Sequence, residues 1–278
     1  MITNRAISPL IETAELQALV GSAKVVVIDC RFSLADTELG YQQYLLGHIP
    51  GAFYLHLDKD LSGPISDQGG RHPFPDPADF SRLMADLAID KNTHVVIYDS
   101  SRFAFASRLW WMLKSVGCSP VQVLNGGYPA WLECGGAVDS SAVATSAEGF
   151  AGNGDEPLTF DNCLSKDAML TAQAGGAWLI DAREAERYEG LNEPIDPVAG
   201  HIPGAVNVPW QGVTDDSGRA RDVNAQKALW QAIGTDEPVV VYCGSGVTAC
   251  VDLLSLEIAG YTNKKLYMGS WSDWCSYL

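Results

Sequence analysis

The 278 residues are 47% hydrophobic and 19% charged, a globular composition that excludes wholesale disorder and fibrous repeats. At roughly 150 residues per domain the length suggests about two domains. Eighteen Lys and Arg against 34 Asp and Glu leave a formal net charge of -16, a field that disfavours nucleic acid and anionic membrane surfaces as partners and obliges any small anionic substrate to find a local positive pocket.

In chain order, the N-terminal segment has no apolar run of the kind a signal peptide needs. The first half predicts strands at Val25–Asp29, Val95–Tyr98 and Val121–Leu124, and helices at Pro77–Ala88, Phe103–Val116 and Tyr128–Glu133. Residues 137–157 are rich in Ala, Ser and Gly, hold no basic residue and show no apolar period, so they read as a linker. The second half predicts strands at Trp178–Asp181, Pro238–Tyr242 and Leu266–Tyr267, and helices at Asp222–Ile233 and Val247–Ala259, with Trp271–Leu278 closing the chain. The longest apolar runs, Val25–Ile28 and Val239–Tyr242, are far too short to cross a bilayer. Alternation of this kind predicts an α/β fold, a mostly parallel sheet flanked by helices in each half.

The halves repeat one another. GHIPGA stands at Gly47–Ala52 and again at Gly200–Ala205, 153 residues on, and Asp29 and Asp181 precede the two copies at a spacing of 152. HVVIYD (His94–Asp99) matches PVVVYC (Pro238–Cys243) at a spacing of 144, and Gly126 and Trp131 match Gly269 and Trp274 at 143. Four landmarks in one order at a nearly constant offset describe two copies of a domain, because the period is far too long for a solenoid. The expected domains are residues 1–136 and 158–278.

Seven cysteines, an odd number with no CxxC pair, argue against a disulfide framework and against a zinc site, and suit a reducing cytoplasm. No metal or cofactor is implied. Cys30, Cys118, Cys134, Cys163, Cys250 and Cys275 read as apolar packing residues. Cys243 differs, because VVVYCGSGVTACVDLL puts it just past a buried strand, in a glycine-containing loop that opens a helix near Val247 or Thr248. Ligands of open α/β sheets bind beyond the carboxyl ends of the strands. Loop amides and a helix N-terminus there favour a reactive thiolate. Gly244 and Gly246 allow the angles of a tight cradle, and Ser245 and Thr248 can donate hydroxyl hydrogen bonds into it. Paired Trp110 and Trp111 read as packing, one in the core and one at the domain interface.

At these residues the chain resembles the tandem-domain rhodanese family of sulfurtransferases, along essentially its whole length. CGSGVTAC resembles the active-site loop of the mercaptopyruvate-using members, and the two GHIPGA segments and Gly269–Trp271 fit the same family. The resemblance implies a catalytic second domain and an inactive first one, in which Asp99 stands where the second copy has Cys243. It implies ping-pong transfer of sulfur through a Cys243 persulfide, from a small anionic donor to cyanide, a thiol or a thioredoxin-type acceptor. A persulfide cradle of Gly244, Ser245, Gly246, Val247 and Thr248 follows from it. Arg187 matches a position that binds the donor's anionic group, and His72 and Asp58 match first-domain positions lining the cleft. Asp58 would be the acidic member of a Cys243–Ser245–Asp58 arrangement, and Asp181 an orienting residue. On local sequence alone Arg187 would pair with Glu184, Glu186 or Glu189.

Two departures bear on the donor. Members that prefer thiosulfate carry basic residues after the cysteine; Gly244 and Ser245 stand there, which favours 3-mercaptopyruvate and leaves thiosulfate as the alternative. The mercaptopyruvate-using members also carry a second donor-binding arginine, yet Asn192–His201 has none and puts Asp196 near that place. Carboxylate recognition would then rest on Arg187, helped by Arg183 or His72. A cysteine phosphatase needs an arginine six residues after the cysteine, where Ala249 stands. A silent sulfur-carrier or redox-sensing module is at odds with the intact CGSGVT loop.

Overall fold

The computed structural model describes residues 7–22, 25–143 and 158–278, so residues 144–157 of the stretch read as linker lie outside the described residues. The first half runs β1 (Leu10–Ile11), α1 (Thr13–Gln17), β2 (Val25–Asp29), α2 (Leu39–Leu46), β3 (Phe53–Tyr54), α3 (Pro77–Asp86), β4 (His94–Tyr98), α4 (Ala106–Ser115), β5 (Val121–Leu124) and α5 (Gly127–Glu133). The second runs β6 (Cys163–Leu164), α6 (Lys166–Ala174), β7 (Trp178–Asp181), α7 (Ala185–Tyr188), β8 (Val206–Asn207), a 3-10 turn (Trp210–Val213), α8 (Val223–Leu229), β9 (Val239–Tyr242), α9 (Ala249–Ala259), β10 (Lys264–Tyr267) and α10 (Ser270–Cys275).

Two five-stranded parallel sheets result, ordered β1-β5-β4-β2-β3 and β6-β10-β9-β7-β8. The order is the same in both, as the repeat requires. β-Branched runs form the centre of each sheet because both faces there are covered; Val95, Val96, Val240 and Val241 are buried. Asp76 caps α3 through Ala78 N–H at 2.8 Å, and Asp222 caps α8 through Asn224 and Ala225. The helix expected at Phe103–Val116 starts only at Ala106, because Arg102 and Phe103 take left-handed φ of 57° and 71°. The helix expected to reach Ile233 ends at Leu229.

α4 and α9 pack against one another and join the halves. One apolar cluster runs across this junction, from Ile97, Leu109 and Leu113 to Trp230, Val251 and Leu254, and both Trp110 and Trp111 are buried in it. Smaller clusters fill the outer face of each sheet. Cys134 is exposed rather than packed inside, because it lies at the C-terminal cap of α5. Among the described residues no helix is long and apolar enough to cross a membrane.

Asp252, on the buried face of α9, is fully inaccessible, and neither carboxylate oxygen has a hydrogen-bond partner among the described residues. Burial above all, then the proximity of Cys243 and Asp181, holds this carboxyl well above the usual carboxylate range. A raised value in the folded state means that the stability is complete below the ordinary value of 3.8 and is lost as pH rises. Asp252→Asn is therefore expected to match wild type near pH 4 and to exceed it at pH 8 by about 1–3 kcal/mol. Parallel thermal melts across that range would contradict the assignment.

Candidate active site

β9 brings the chain to the carboxyl edge of the second sheet, and Cys243 is the first residue beyond it, 2% exposed. Its N–H donates to Ser270 Oγ at 3.2 Å, while its carbonyl accepts from Trp271 N–H at 2.9 Å. The Gly244 carbonyl accepts from Ser272 N–H at 2.9 Å. The start of α10 thus holds the loop from one side. Thr248 is the N-cap of α9, one residue later than the pattern suggests, and its hydroxyl makes no capping bond. Gly246 has φ +76°, and a Cβ there would lie 2.4 Å from the Met268 carbonyl oxygen, so only glycine fits.

Gly244 does not use a left-handed angle. What it provides is closeness: a Cβ there would lie 3.2 Å from Arg71 Nη2 and 3.4 Å from Arg187 Nη1 and Nη2. Arg71 escapes a sequence reading, since its only signal is a cation beside His72. Arg187 pairs with neither Glu186 nor Glu189, and Glu184 approaches only to 4.0 Å. Its Nε donates to both Glu193 oxygens at 3.2 and 3.1 Å, and its Nη2 to Glu193 Oε1 at 2.8 Å and Asp196 Oδ2 at 3.1 Å. Asp196 accepts on its other oxygen from Arg71 Nη1. Asp181 is not at the cleft. It ends β7 as a buried partner of Arg183, whose Nη2 lies 2.6 Å from Oδ2.

His72 and Ser245 do meet, with Nδ1 2.7 Å from Oγ, and His72 Nε2 lies 3.3 Å from Asp58 Oδ1. Asp58 therefore reaches Ser245 only through His72, and the direct Cys243–Ser245–Asp58 arrangement becomes a chain of Ser245, His72 and Asp58. Burial, then the positive charges of Arg108 and Arg71, lower His72 from 6.5 to about 4. The Asp58 side chain is 40% exposed, so water screens its opposing pull. At neutral pH the imidazole is uncharged.

Beneath the loop lies Arg108 of α4, fully buried. Its Nη1 donates to the Gly246 carbonyl at 3.0 Å, and its Nη2 to the carbonyls of His72 at 2.9 Å and Leu61 at 3.2 Å. The guanidinium lies 4.0 Å from the Phe74 ring centroid and has no carboxylate partner among the described residues; burial lowers it to about 10. An arginine inside an otherwise apolar helical run is the one sequence signal that could have found it. A cleft of about 780 Å³ opens over Cys243, lined by Arg71, His72 and Arg187 together with Phe32, Leu34 and Trp210.

The corresponding loop of the first half is occupied by its own side chain. Asp99 is 1% exposed, and its carboxylate accepts from the backbone N–H groups of Ser101, Phe103, Phe105 and Ala106 at 2.8–3.2 Å.

A family model described as the rhodanese-like domain matches residues 12–134 and 165–277. The chain is 39% identical to a probable 3-mercaptopyruvate sulfurtransferase of Pseudomonas aeruginosa over 95% of this chain and 94% of that protein. It is 38% identical to a putative thiosulfate sulfurtransferase of Mycobacterium tuberculosis, over 96% and 94% of the two chains. Among solved structures, the Escherichia coli 3-mercaptopyruvate sulfurtransferase superposes with a TM-score of 0.79 at 31% identity, covering 96% of this chain and 100% of that one. The Leishmania major 3-mercaptopyruvate sulfurtransferase gives 0.84 at 28% identity, covering 97% and 74%.

Because His72 is held below its free value, the unfolded chain takes up the proton first as pH falls. Its contribution is complete above about pH 6.5 and is lost towards about pH 4. Over that window wild type is expected to lose on the order of 3 kcal/mol more than His72→Gln in urea denaturation. Equal losses in both proteins would show that His72 is not buried uncharged.

Proposed function

The chain belongs to the rhodanese family and is a sulfurtransferase, and from that premise we propose that it moves sulfur from 3-mercaptopyruvate to a thiophilic acceptor through a persulfide on Cys243. The observation that carries this reading is the placement of Cys243 at a strand end and helix start, with two guanidinium groups over the adjacent Gly244. Gly244 leaves open the space that a basic side chain would fill, and this is why 3-mercaptopyruvate is preferred to thiosulfate as donor.

In the proposed cycle the Cys243 thiolate attacks the donor's thiol sulfur. The carbon–sulfur bond breaks, its electron pair passes into the enolate of pyruvate, and the proton of the donor thiol ends on that enolate. Asp58 favours the His72 tautomer with Nε2–H towards it, which leaves Nδ1 to accept from the Ser245 hydroxyl. Ser245 and the uncharged His72 then offer a route for that proton. Loop amides and the α9 N-terminus stabilise the persulfide anion. Cyanide, a thiol or a thioredoxin-type acceptor removes the outer sulfur and restores the thiolate, so one difficult transfer becomes two easier ones.

The first half, with Asp99 in place of a nucleophile, contributes walls and no sulfur chemistry. Seven unpaired cysteines support a cytoplasmic setting, where thiols stay reduced.

Incubation with 3-mercaptopyruvate is expected to add one sulfur mass to Cys243 by mass spectrometry, and none to Cys243→Ser. A higher kcat/KM for thiosulfate than for 3-mercaptopyruvate would replace the donor. No adduct from either would sink the persulfide.

A further inference from the structure

We propose that Arg108, a residue of the half without a nucleophile, is a positioning residue for sulfur transfer: its guanidinium fixes the Gly246–Val247 peptide of the reactive loop and so aims the Val247 N–H at the Cys243 sulfur. The proposal rests on Cys243 being the sulfur-carrying nucleophile, and it gives the first half a part in the chemistry from a place outside the cleft.

Packing alone does not ask for an arginine here. α4 buries Arg108 beside Leu109, Trp110, Met112 and Leu113, in a run that an apolar side chain would continue. Burial lowers the guanidinium only to about 10, so it stays charged at neutral pH. A buried cation without a carboxylate costs stability, and its Nε has no hydrogen-bond partner among the described residues. A group kept at that cost points to function.

Its acceptors lie on two strips of backbone. Nη1 donates to the Gly246 carbonyl at 3.0 Å, in the reactive loop. Nη2 donates to the carbonyls of His72 at 2.9 Å, Leu61 at 3.2 Å and Pro73 at 3.4 Å, in the first-half segment that faces that loop. The His72 imidazole meets the Ser245 hydroxyl at 2.7 Å. One guanidinium therefore sets the spacing between the loop and the imidazole that serves it.

Holding the Gly246 carbonyl down turns the Val247 N–H up, because the two point in opposite directions across a trans peptide. The first half shows where that N–H goes. At the spacing of 144, Ser101, Arg102 and Phe103 correspond to Ser245, Gly246 and Val247. The left-handed φ repeats, 57° at Arg102 and +76° at Gly246. Ser101 and Phe103 N–H both donate to Asp99 Oδ1, at 2.8 and 3.2 Å. Ser245 and Val247 N–H make no hydrogen bond among the described residues, and the sulfur of Cys243 stands where Asp99 does. A glycine beside this peptide leaves it free to turn. The other donor to its carbonyl is the weak Cys250 thiol at 3.5 Å, so Arg108 is what keeps the orientation.

The test is a single-turnover measurement, because the rate constant for appearance of the one-sulfur adduct does not depend on how much of a preparation is folded. Arg108→Met is expected to slow adduct formation from saturating 3-mercaptopyruvate about 10–100-fold, as for one misaligned donor. The half-saturating concentration should stay within a few-fold, since Arg108 does not line the cleft. Alkylation of Cys243 by iodoacetamide at neutral pH should slow several-fold, whereas a loop that had merely loosened would expose the thiol and speed it. Arg108→Lys keeps the charge without the planar fork. It should lie between wild type and Arg108→Met in both measurements, and it carries the comparison if Arg108→Met does not fold. Wild-type rates in the variant measured would overturn the proposal. Faster alkylation, or a parallel rise in the half-saturating concentration, would make Arg108 a structural residue and overturn it too. No adduct in wild type would overturn the persulfide alone, with slower alkylation in the variant still upholding Arg108 and unchanged alkylation overturning it.

Discussion

The cleft depends on a ladder of alternating charges that climbs from the second sheet to its mouth. Asp181 at the end of β7 binds Arg183, Arg183 reaches Glu193 at 3.1 Å, Glu193 holds Arg187, Arg187 touches Asp196, and Asp196 ends on Arg71. Asp181, Arg183, Glu193 and Asp196 have side chains no more than 2% exposed. Burial alone would lower the Arg183 guanidinium, but the hydrogen bond and charge of Asp181 more than offset it and raise it. Removing one member of such a chain leaves a buried charge uncompensated, at a cost of about 3–5 kcal/mol. In a chain with a formal net charge of -16, this is how a positive spot is kept: carboxylates below hold the arginines, and the free N–H groups face the cleft.

The first half carries the lower rung and no more. Arg31 binds Asp29 at 2.6 Å and donates to the Gly47 carbonyl at 2.7 Å, as Arg183 binds Asp181 at 2.6 Å and donates to Gly200 at 2.7 Å. Tyr98 and Tyr242 accept from Ile49 and Ile202 N–H, and His48 and His201 stack on Tyr44 and Tyr188 at 3.9 Å. The repeated GHIPGA motif is therefore fold chemistry, which ties a loop to a strand-end ion pair. The halves diverge at the next step. Each arginine lies over an equivalent ring, Arg31 over Tyr128 at 4.1 Å and Arg183 over Trp271 at 4.7 Å, but Arg183 also passes its charge on to a second carboxylate, Glu193. At the loop they diverge again, since Asp99 fills its own amide cradle with a carboxyl group, which burial raises from its ordinary value against the pull of the four amide N–H groups. The first half keeps in covalent form an oxygen acceptor for the loop amides, where the proposed cycle makes a sulfur one transiently at Cys243.

What could be read in the sequence was local or repeated. β-Branched runs marked β2, β4 and β9, and the strand–loop–helix around Cys243 carried its own signature. Two-residue edge strands such as β3 and β8 are too short to show a period, and α2 hid because Leu45 and Leu46 are apolar yet exposed. The partners of Arg187 lay outside the three- and four-residue spacing on which helix pairing is judged, six and nine residues on in a loop. His72 meets Ser245 across 173 residues, and Arg71 meets Asp196 across 125. Contacts of that separation arise only when the halves dock, and nothing near either residue in sequence announces them.

Docking also explains why a half without a nucleophile is retained inside the site. The reactive loop is gripped twice, by α10 at Cys243 and Gly244 and by Arg108 of α4 at the Gly246 carbonyl. A buried guanidinium without a counter-ion is expensive, and here four carbonyls and an aromatic face offset part of that cost, its Nε having no partner among the described residues, while its charge stays near the thiol. At the spacing of 144 that separates Asp99 from Cys243, Arg108 corresponds to Asp252. The two lie on the helices that join the halves, yet Asp252 touches no polar partner among the described residues. The pseudo-symmetry is broken at this pair. A working cation remains on the side that faces the reactive loop, and at the equivalent point a carboxyl group has been left to keep its proton.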